Sequence, residues 1–229
     1  MANDGFQGPA IGSYIVDELG FETIAVIDDA SEYGKGIADI VRDSIGEAGA
    51  TVGTSESIDP TSQDYSSTVT AIEAEAPDAV FYGGYYEAAG RFAKQLSDAG
   101  VESTFVAGDG VLDPGFLEAA GDEAAEGAVI SCPCAPSPDD FKAAYVEAYD
   151  VDPGTYTPEA YDAANIYLQA ISEGNTDRDS INEYLNDVEY EGITKTIKFA
   201  ESGELEGFDS IFSYTVEGGE ITGGDEIVN

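Results

Sequence analysis

The sequence predicts an α/β protein: one parallel, doubly wound (Rossmann-like) lobe followed by an incomplete second lobe. Three observations carry this reading. Short apolar runs alternate strictly with amphipathic segments from Gly8 to Ile130, the pattern of a parallel sheet with right-handed crossovers. The stretch Cys132-Pro133-Cys134-Ala135-Pro136-Ser137-Pro138 then interrupts the alternation. Beyond it the chain reads as three helices and two strands, too few strands for the helices to cover.

Each element has a local reason. Gly8 to Leu19 reads as a helix with Pro9 in its first turn and Ile11, Ile15, Val16 and Leu19 near one face. Thr23 to Ile27 is an apolar strand ending in Asp28-Asp29, and a helix from about Lys35 to Ala48 follows, closed by Gly49. Val52 to Ile58 is a weaker strand. Asp64 or Ser66 can cap a helix that reaches Ala76, where Pro77 stops it. Asp78-Ala79-Val80-Phe81-Tyr82 is a continuous apolar run, as expected of a strand buried on both faces. It ends in Gly83-Gly84, which let another group approach the backbone closely, and Tyr85-Tyr86 precede a helix over Glu87 to Leu96. Ser103 to Ala107 is a strand that runs into Gly108-Asp109-Gly110; Asp113-Pro114 then caps a short helix through Ala120. Gly127 to Ile130 is the next strand. The three prolines after it make a stiff, extended crossover, so the domain boundary is placed there. In the second part, Asp139 to Tyr149 is a helix with Phe141, Tyr145 and Tyr149 four residues apart. Thr157-Pro158-Glu159 opens a second helix to about Ser172, and Asp179 or Ser180 a third, ending near Val188. Thr194 to Phe199 and Phe208 to Val216 alternate like antiparallel strands joined by the Ser202-Gly203-Glu204 turn.

Composition narrows the function. The chain has 229 residues, 42% of them hydrophobic, enough for one large or two small domains. It carries 47 acidic residues against 8 basic ones, a formal net charge of −39. The acids sit between apolar positions throughout, which excludes a disordered acidic tail and points to a halophilic protein. A Debye length of roughly 3 Å at about 1 M salt removes the self-repulsion of such a surface. With so few cations no basic patch can be built, so nucleic acid and anionic membranes are excluded as partners. The absence of histidine removes catalytic triads and imidazole acid–base chemistry. Cys132 and Cys134 flank Pro133; adjacent-but-one cysteines rarely reach disulfide geometry without strain, and a zinc site would need carboxylates or a second subunit. They read as small structural residues. No apolar run approaches the roughly 18 residues of a membrane span, and no signal peptide is read ahead of the first helix.

Three groups gather at predicted strand ends: Asp28 and Asp29 with Tyr33, Tyr85 and Tyr86, and Asp109. Open α/β sheets bind ligands outside the carboxyl ends of their strands. If these strands are neighbours, the crevice offers carboxylate, phenol hydroxyls and aromatic faces without a cation. That suits an ammonium group, through ion pairing and a cation–π contribution of about 0.5–2 kcal/mol. The plain alternatives are a solvated turn for Asp28 and Asp29 and core packing for the tyrosines. An enzymatic alternative is a magnesium site on the acidic pair. Such sites need a lysine at a later strand end, and none of Lys35, Lys94, Lys142, Lys195 and Lys198 follows a strand of the first part. No phosphate-binding glycine motif or nucleophile elbow is present either. The chain reads as a binder, not an enzyme, and no cofactor or metal is expected.

The motifs then resemble those of the leucine/isoleucine/valine-type solute-binding proteins of ABC transporters, which have the type I periplasmic-binding fold. Gln7-Gly8-Pro9 is similar to the start of that family's second lobe, and Glu32-Tyr33-Gly34-Lys35-Gly36 to its YGxG junction. Phe81 to Tyr86 resembles its YYGGYY segment, and Gly108-Asp109-Gly110 its xEG turn. Ala120-Gly121-Asp122 with Ala125-Glu126-Gly127 resembles AGxxAEG, and Gly203-Glu204-Leu205-Glu206-Gly207-Phe208 the terminal GDLKGF.

The resemblance implies two lobes that close on an amino acid delivered to an ABC transporter permease, outside the cytoplasm: periplasmic, cell-surface or extracellular. It implies that Tyr33 flanks the ligand, Tyr85 hydrogen-bonds near the ammonium and Asp109 pairs with it. The family often has glutamate at the position of Asp109, one methylene longer. It also implies that residues 1–131 and about 214–229 form lobe two, 139–213 the returning part of lobe one, and 132–138 a crossover hinge. The opening strands of lobe one, with the segment that grips the ligand carboxylate, would lie before the position matching Phe6. An incomplete lobe with exposed apolar helices would favour a homodimer. The alternative of another class is a sensor or scaffold lobe of the same fold that holds a protein partner and no ligand.

Overall fold

The computed structural model describes residues 1–207 and 210–227. The chain divides into two compact units. Unit 2 comprises residues 2–133 and 210 onward; unit 1 comprises 134–209 with Met1.

Unit 2 is built on a seven-stranded sheet in the order β2-β1-β3-β4-β5-β8-β9. Strands β1 (Thr23–Asp28), β2 (Thr51–Ser57), β3 (Ala79–Gly83), β4 (Thr104–Ala107) and β5 (Val129–Cys132) run parallel. Strands β8 (Ile211–Glu217) and β9 (Glu220–Ile227) close the sheet antiparallel, joined by a tight turn at Gly218-Gly219. Both glycines have positive φ, 61° and 82°, the left-handed backbone that two-residue hairpins require. Every residue of β3 is buried, as its unbroken apolar run requires of a strand covered on both faces. On one face Ile27, Val80, Tyr82, Phe105 and Ile130 form a core with Phe92 and Leu96 of α4 (Tyr86–Asp98) and Phe116 of α5 (Pro114–Ala120). Helix α3 (Ser66–Glu75) adds Val69 and Ile72.

Local start and stop signals hold these helices. Ser31 accepts from Gly34 N–H and caps α2 (Glu32–Glu47), and Asp113 accepts from Gly115 N–H and caps α5. Helix α2 therefore begins at Glu32 rather than near Lys35, which puts Tyr33 in its first turn. Helix α1 spans Asp4–Ser13 and continues in a π-helical turn, Tyr14–Glu18, instead of starting at Gly8. Its cap is Asn3, whose side chain accepts from Gly5 N–H. Pro9 lies inside the helix, not in its first turn. A four-residue helix, α6 (Asp122–Ala125), was not expected from the periodicity, being too short to show any.

Unit 1 holds α7 (Asp139–Tyr149), α8 (Thr157–Ser172) and α9 (Arg178–Asp187) with a two-stranded ladder of β6 (Tyr190–Glu191) and β7 (Thr196–Ile197). The hairpin expected between 194–199 and 208–216 does not form. Thr196 and Ile197 pair with Glu191 and Tyr190, while β8 pairs with β5. The expected start of that strand, Phe208, lies outside the described residues. Both segments alternate, and alternation cannot say which partner a strand takes. The small core of unit 1 is Ile166, Val188 and Ile197, flanked by Tyr184, Leu185 and Tyr190. Helices α7 and α9 contain no buried residue.

Cys132 and Cys134, expected to stay unbonded, are both in disulfide linkage. Both are buried. Pro133 between them fixes one backbone angle.

The interior of unit 1 depends on Asp162, which is fully buried in α8. Its carboxylate accepts from Ile193 N–H at 2.8 Å, Thr194 N–H at 3.0 Å and the Thr194 hydroxyl at 2.5 Å, and so ties the β6–β7 turn to the helix. Removing it leaves three part-buried donors without this carboxylate, and a hydrogen bond to a charged group contributes about 1.5–3 kcal/mol. Asp162→Ala is expected to destabilise unit 1 by at least about 2 kcal/mol, read as lost hydrogen-exchange protection over 188–197 with unit 2 protection kept.

Candidate ligand-binding site

The sheet order makes β1, β3 and β4 consecutive neighbours, so their carboxyl ends share one side of unit 2. The chain passes outward in opposite directions after β1 and after β3, which makes this the switch point where open α/β sheets leave a crevice. Register finishes the placement: Asp28 stands opposite Gly83, and Tyr82 opposite Ala107.

Tyr33, Tyr85 and Asp109, all named from the sequence, come together here. The Tyr33 hydroxyl donates to Asp109 Oδ1 at 2.9 Å. The Tyr33 and Tyr85 rings lie 5.4 Å apart, tilted by 44°. Asp109 opens a 3-10 turn, Asp109–Val111, directly after β4. The glycines on either side of it are needed for space. A Cβ at Gly110 would lie 2.5 Å from the Gly84 carbonyl oxygen, 3.1 Å from Tyr33 Cε1 and 3.3 Å from Tyr85 Cδ1. A Cβ at Gly108 would lie 2.8 Å from the Tyr33 hydroxyl. Tyr33 is half-buried, whereas Tyr85 is 53% exposed and free to meet an incoming molecule.

The remaining candidates go elsewhere. Tyr86 begins α4 and packs against the apolar core. Asp28 and Asp29 are each only 3% exposed, so the solvated turn is excluded, yet they do not face the crevice. Asp28 accepts from Ala30 N–H at 2.8 Å and the Ser57 hydroxyl at 2.9 Å. Asp29 accepts from Ser31 N–H at 3.0 Å and the Ser31 hydroxyl at 2.5 Å. Together they build the β1–α2 turn that carries Tyr33. The close approach expected at Gly83 is to α2 itself, since a Cβ there would lie 2.3 Å from the Gly34 carbonyl oxygen.

One site residue escaped the sequence reading. Asp4, in the first turn of α1, lies within electrostatic reach of both Asp109 and Tyr33. The signal was present: Asn3 is a cap residue directly ahead of Asp4, but Pro9 drew the predicted helix start four residues too far along. The groups here push one another's titration the same way. Burial first, and the Asp109 charge second, raise Asp4 above the usual carboxylate range. Burial, then the Asp109 charge and hydrogen bond, hold the Tyr33 phenol far above its ordinary value, opposed by the Gly110 backbone amide. The Asp109 carboxylate thus meets the rings of Tyr33 and Tyr85, within the field of Asp4. A carboxylate beside aromatic faces favours a cation such as an ammonium.

Comparison with known proteins follows the same lines. The family model described as periplasmic binding protein matches residues 2–217. A leucine-, isoleucine-, valine-, threonine- and alanine-binding protein of Pseudomonas aeruginosa is 30% identical over 90% of this chain and 56% of its own. A Leu/Ile/Val-binding protein of Escherichia coli is 29% identical over 94% of this chain and 59% of its own. The chain thus spans under two thirds of the length of these relatives. Among solved structures, a leucine-binding protein of Thermotoga maritima superposes with a TM-score of 0.86 at 26% identity, covering 98% of this chain and 65% of that one. A branched-chain amino acid transporter substrate-binding protein of Streptococcus pneumoniae, in complex with isoleucine, shares the fold with a TM-score of 0.86 at 21% identity, over 98% of this chain and 65% of that one. The type I periplasmic-binding fold expected from the sequence is the fold observed.

The proximity of Asp4 and Asp109 is open to direct measurement. By carbon-detected NMR, Asp4 is expected to titrate above an ordinary aspartate. In Asp109→Asn its midpoint moves down, because a like charge is gone, yet stays above the ordinary value because burial persists. An Asp4 midpoint indifferent to Asp109→Asn would separate the two carboxylates.

Proposed function

The chain belongs to the periplasmic binding protein family, and on that premise we propose that it binds an amino acid of the branched-chain or a similar class for uptake through an ABC transporter. The family and the named relatives are solute-binding proteins rather than enzymes. The observation that carries the proposal is the Tyr33–Asp109 hydrogen bond beside the exposed Tyr85 ring, at the carboxyl ends of adjacent strands. In this reading Asp109 pairs with the ligand ammonium, Tyr33 holds that carboxylate in place, and Tyr85 covers the ligand. With aspartate rather than glutamate, the ligand sits deeper or meets the carboxylate through a water.

Unit 2 would be the ligand-side lobe and unit 1 the returning part of the other lobe. The relatives' additional length would hold the rest of that lobe and the group that takes the ligand carboxylate. The natural location would be outside the cytoplasm, where the Cys132 and Cys134 linkage persists, with an ABC transporter permease as partner. No helix among the described residues is long and apolar enough to cross a membrane. The excess of 47 acidic over 8 basic residues fits a halophilic surface, so the assays belong in concentrated potassium chloride.

A second reading, a lobe that binds a protein partner and no small ligand, has one observation in its favour. Unit 1 exposes Tyr149, Val151, Tyr161, Tyr167, Leu168 and Ile171. Exposed apolar patches mark association surfaces. Independently of that reading, the same exposed residues on an incomplete lobe would favour a homodimer, and light scattering in high salt is expected to show a dimer that Leu168→Glu dissociates; a monomer at all concentrations would oppose this.

A thermal-shift screen against the amino acids separates the two readings. A ligand at a hundred times its dissociation constant stabilises by about 2.7 kcal/mol, so leucine, isoleucine or valine is expected to raise Tm by several degrees. Tyr85→Ala and Asp109→Asn are expected to lower the affinity by at least about 1 kcal/mol each. A cooperative melt that no amino acid shifts would favour the partner-binding reading.

A further inference from the structure

We propose that Gln7 and Ser131 are positioning residues for Asp109, the carboxylate assigned to the ligand ammonium, a role that rests on the amino-acid-binding reading above. Gln7 is 1% exposed and Ser131 fully buried, so neither contacts solvent or a ligand. Buried polar groups are retained where they are hydrogen-bonded, and these two bond across three elements. Gln7 Nε2, in α1, donates to the Ser131 carbonyl at 3.1 Å and to Ser131 Oγ at 3.1 Å. Ser131 Oγ, in β5, donates to the Ala107 carbonyl at 3.3 Å. Ala107 is the last residue of β4, and Gly108 and Asp109 follow it at once.

The relay therefore fastens α1 to the end of the strand that presents Asp109. On the helix side, Asp4 stands three residues before Gln7 and so on the same face. Gly108 shows how closely the parts share space. A Cβ there would lie 2.8 Å from the Tyr33 hydroxyl and 3.7 Å from Gln7 Nε2. The Gln7 amide and the Tyr33 hydroxyl thus both border the space beside Gly108. Without it, the first turn of α1, bearing Asp4, and the Gly108–Gly110 turn, bearing Asp109, are free to shift independently. Asp109 would no longer be held at a fixed place beside Tyr33 for the ammonium group.

The test uses Gln7→Met, which keeps length and bulk but removes both donor bonds, and Ser131→Ala, which removes only the hydroxyl. In the ligand-free protein, the Asp4 titration is followed with and without Asp109→Asn. If Gln7 positions the pair, Gln7→Met abolishes the response of Asp4 to Asp109→Asn, while Tm stays within a few degrees of the parent. In binding assays, Gln7→Met lowers affinity for leucine by about tenfold or more but leaves that for 4-methylpentanoate, which lacks the ammonium, within about twofold. In an Asp109→Asn background the leucine loss disappears, since residues acting through one group are not additive. Equal losses for both ligands, or an Asp4 response unchanged by Gln7→Met, would reduce Gln7 to a helix anchor and overturn the proposal. Should Gln7→Met fail to fold, Ser131→Ala is read by the same criteria. Should the parent bind no amino acid, the functional reading fails while the titration still decides the positioning role.

Discussion

Parallel register ties the three strand ends together, and the candidate site exists only through it. Neighbouring strands lie about 4.8 Å apart, so the residues that leave β1, β3 and β4 at matched heights must crowd into one place. Asp28 opposite Gly83, and Tyr82 opposite Ala107, set those heights. A slip of one residue would turn Val80 and Tyr82 to the opposite face of the sheet and disrupt both the packing and the site. Core and site are therefore held by one constraint. The turn-building role of Asp28 and Asp29 follows from it, because Tyr33 reaches Asp109 only if the chain bends sharply after β1 and starts α2 at once.

The site itself is held against its own electrostatics. Asp4 and Asp109 are like charges, and burial adds to the cost of ionising Asp4. Tyr33 offsets part of this by donating to Asp109, and the buried Gln7 and Ser131 keep the backbone beneath from relaxing. A fold that maintains such an arrangement gives up a little stability at this place. The same repulsion extends to the whole chain, where 47 acidic residues face only 8 basic ones, a formal net charge of −39.

Unit 1 shows what happens to helices without a sheet to cover. The ladder of β6 and β7 is two residues long on each strand, and the buried cluster of Ile166, Val188 and Ile197 is small. Asp162 compensates locally by binding three donors of one turn. Exposed Tyr149 and Leu168 remain on helices whose composition is that of covered ones. The curated relatives are longer than this chain, which covers 56% and 59% of two of them, so in those proteins further chain is present to provide such cover.

What the sequence determined by itself was whatever neighbouring residues decide: the alternation of strands and helices, the cap Asp113, the unbroken apolar run of β3, and Tyr33, Tyr85 and Asp109 at strand ends. Each follows from periodicity or from backbone chemistry within a few positions. The tertiary structure alone decided the long-range choices. Strand β8 pairs with β5 and β9 rather than with the 194–199 segment, because alternation alone does not choose a partner and the larger sheet does. Asp28 and Asp29 serve a turn and not the crevice, because their donors come from residues 57 and 30–31 folded back on them. Asp4 joins the site, and Gln7 supports it, because α1 packs where no local pattern could place it: composition and spacing fix what a segment can form, but contacts across more than a hundred residues are fixed by packing.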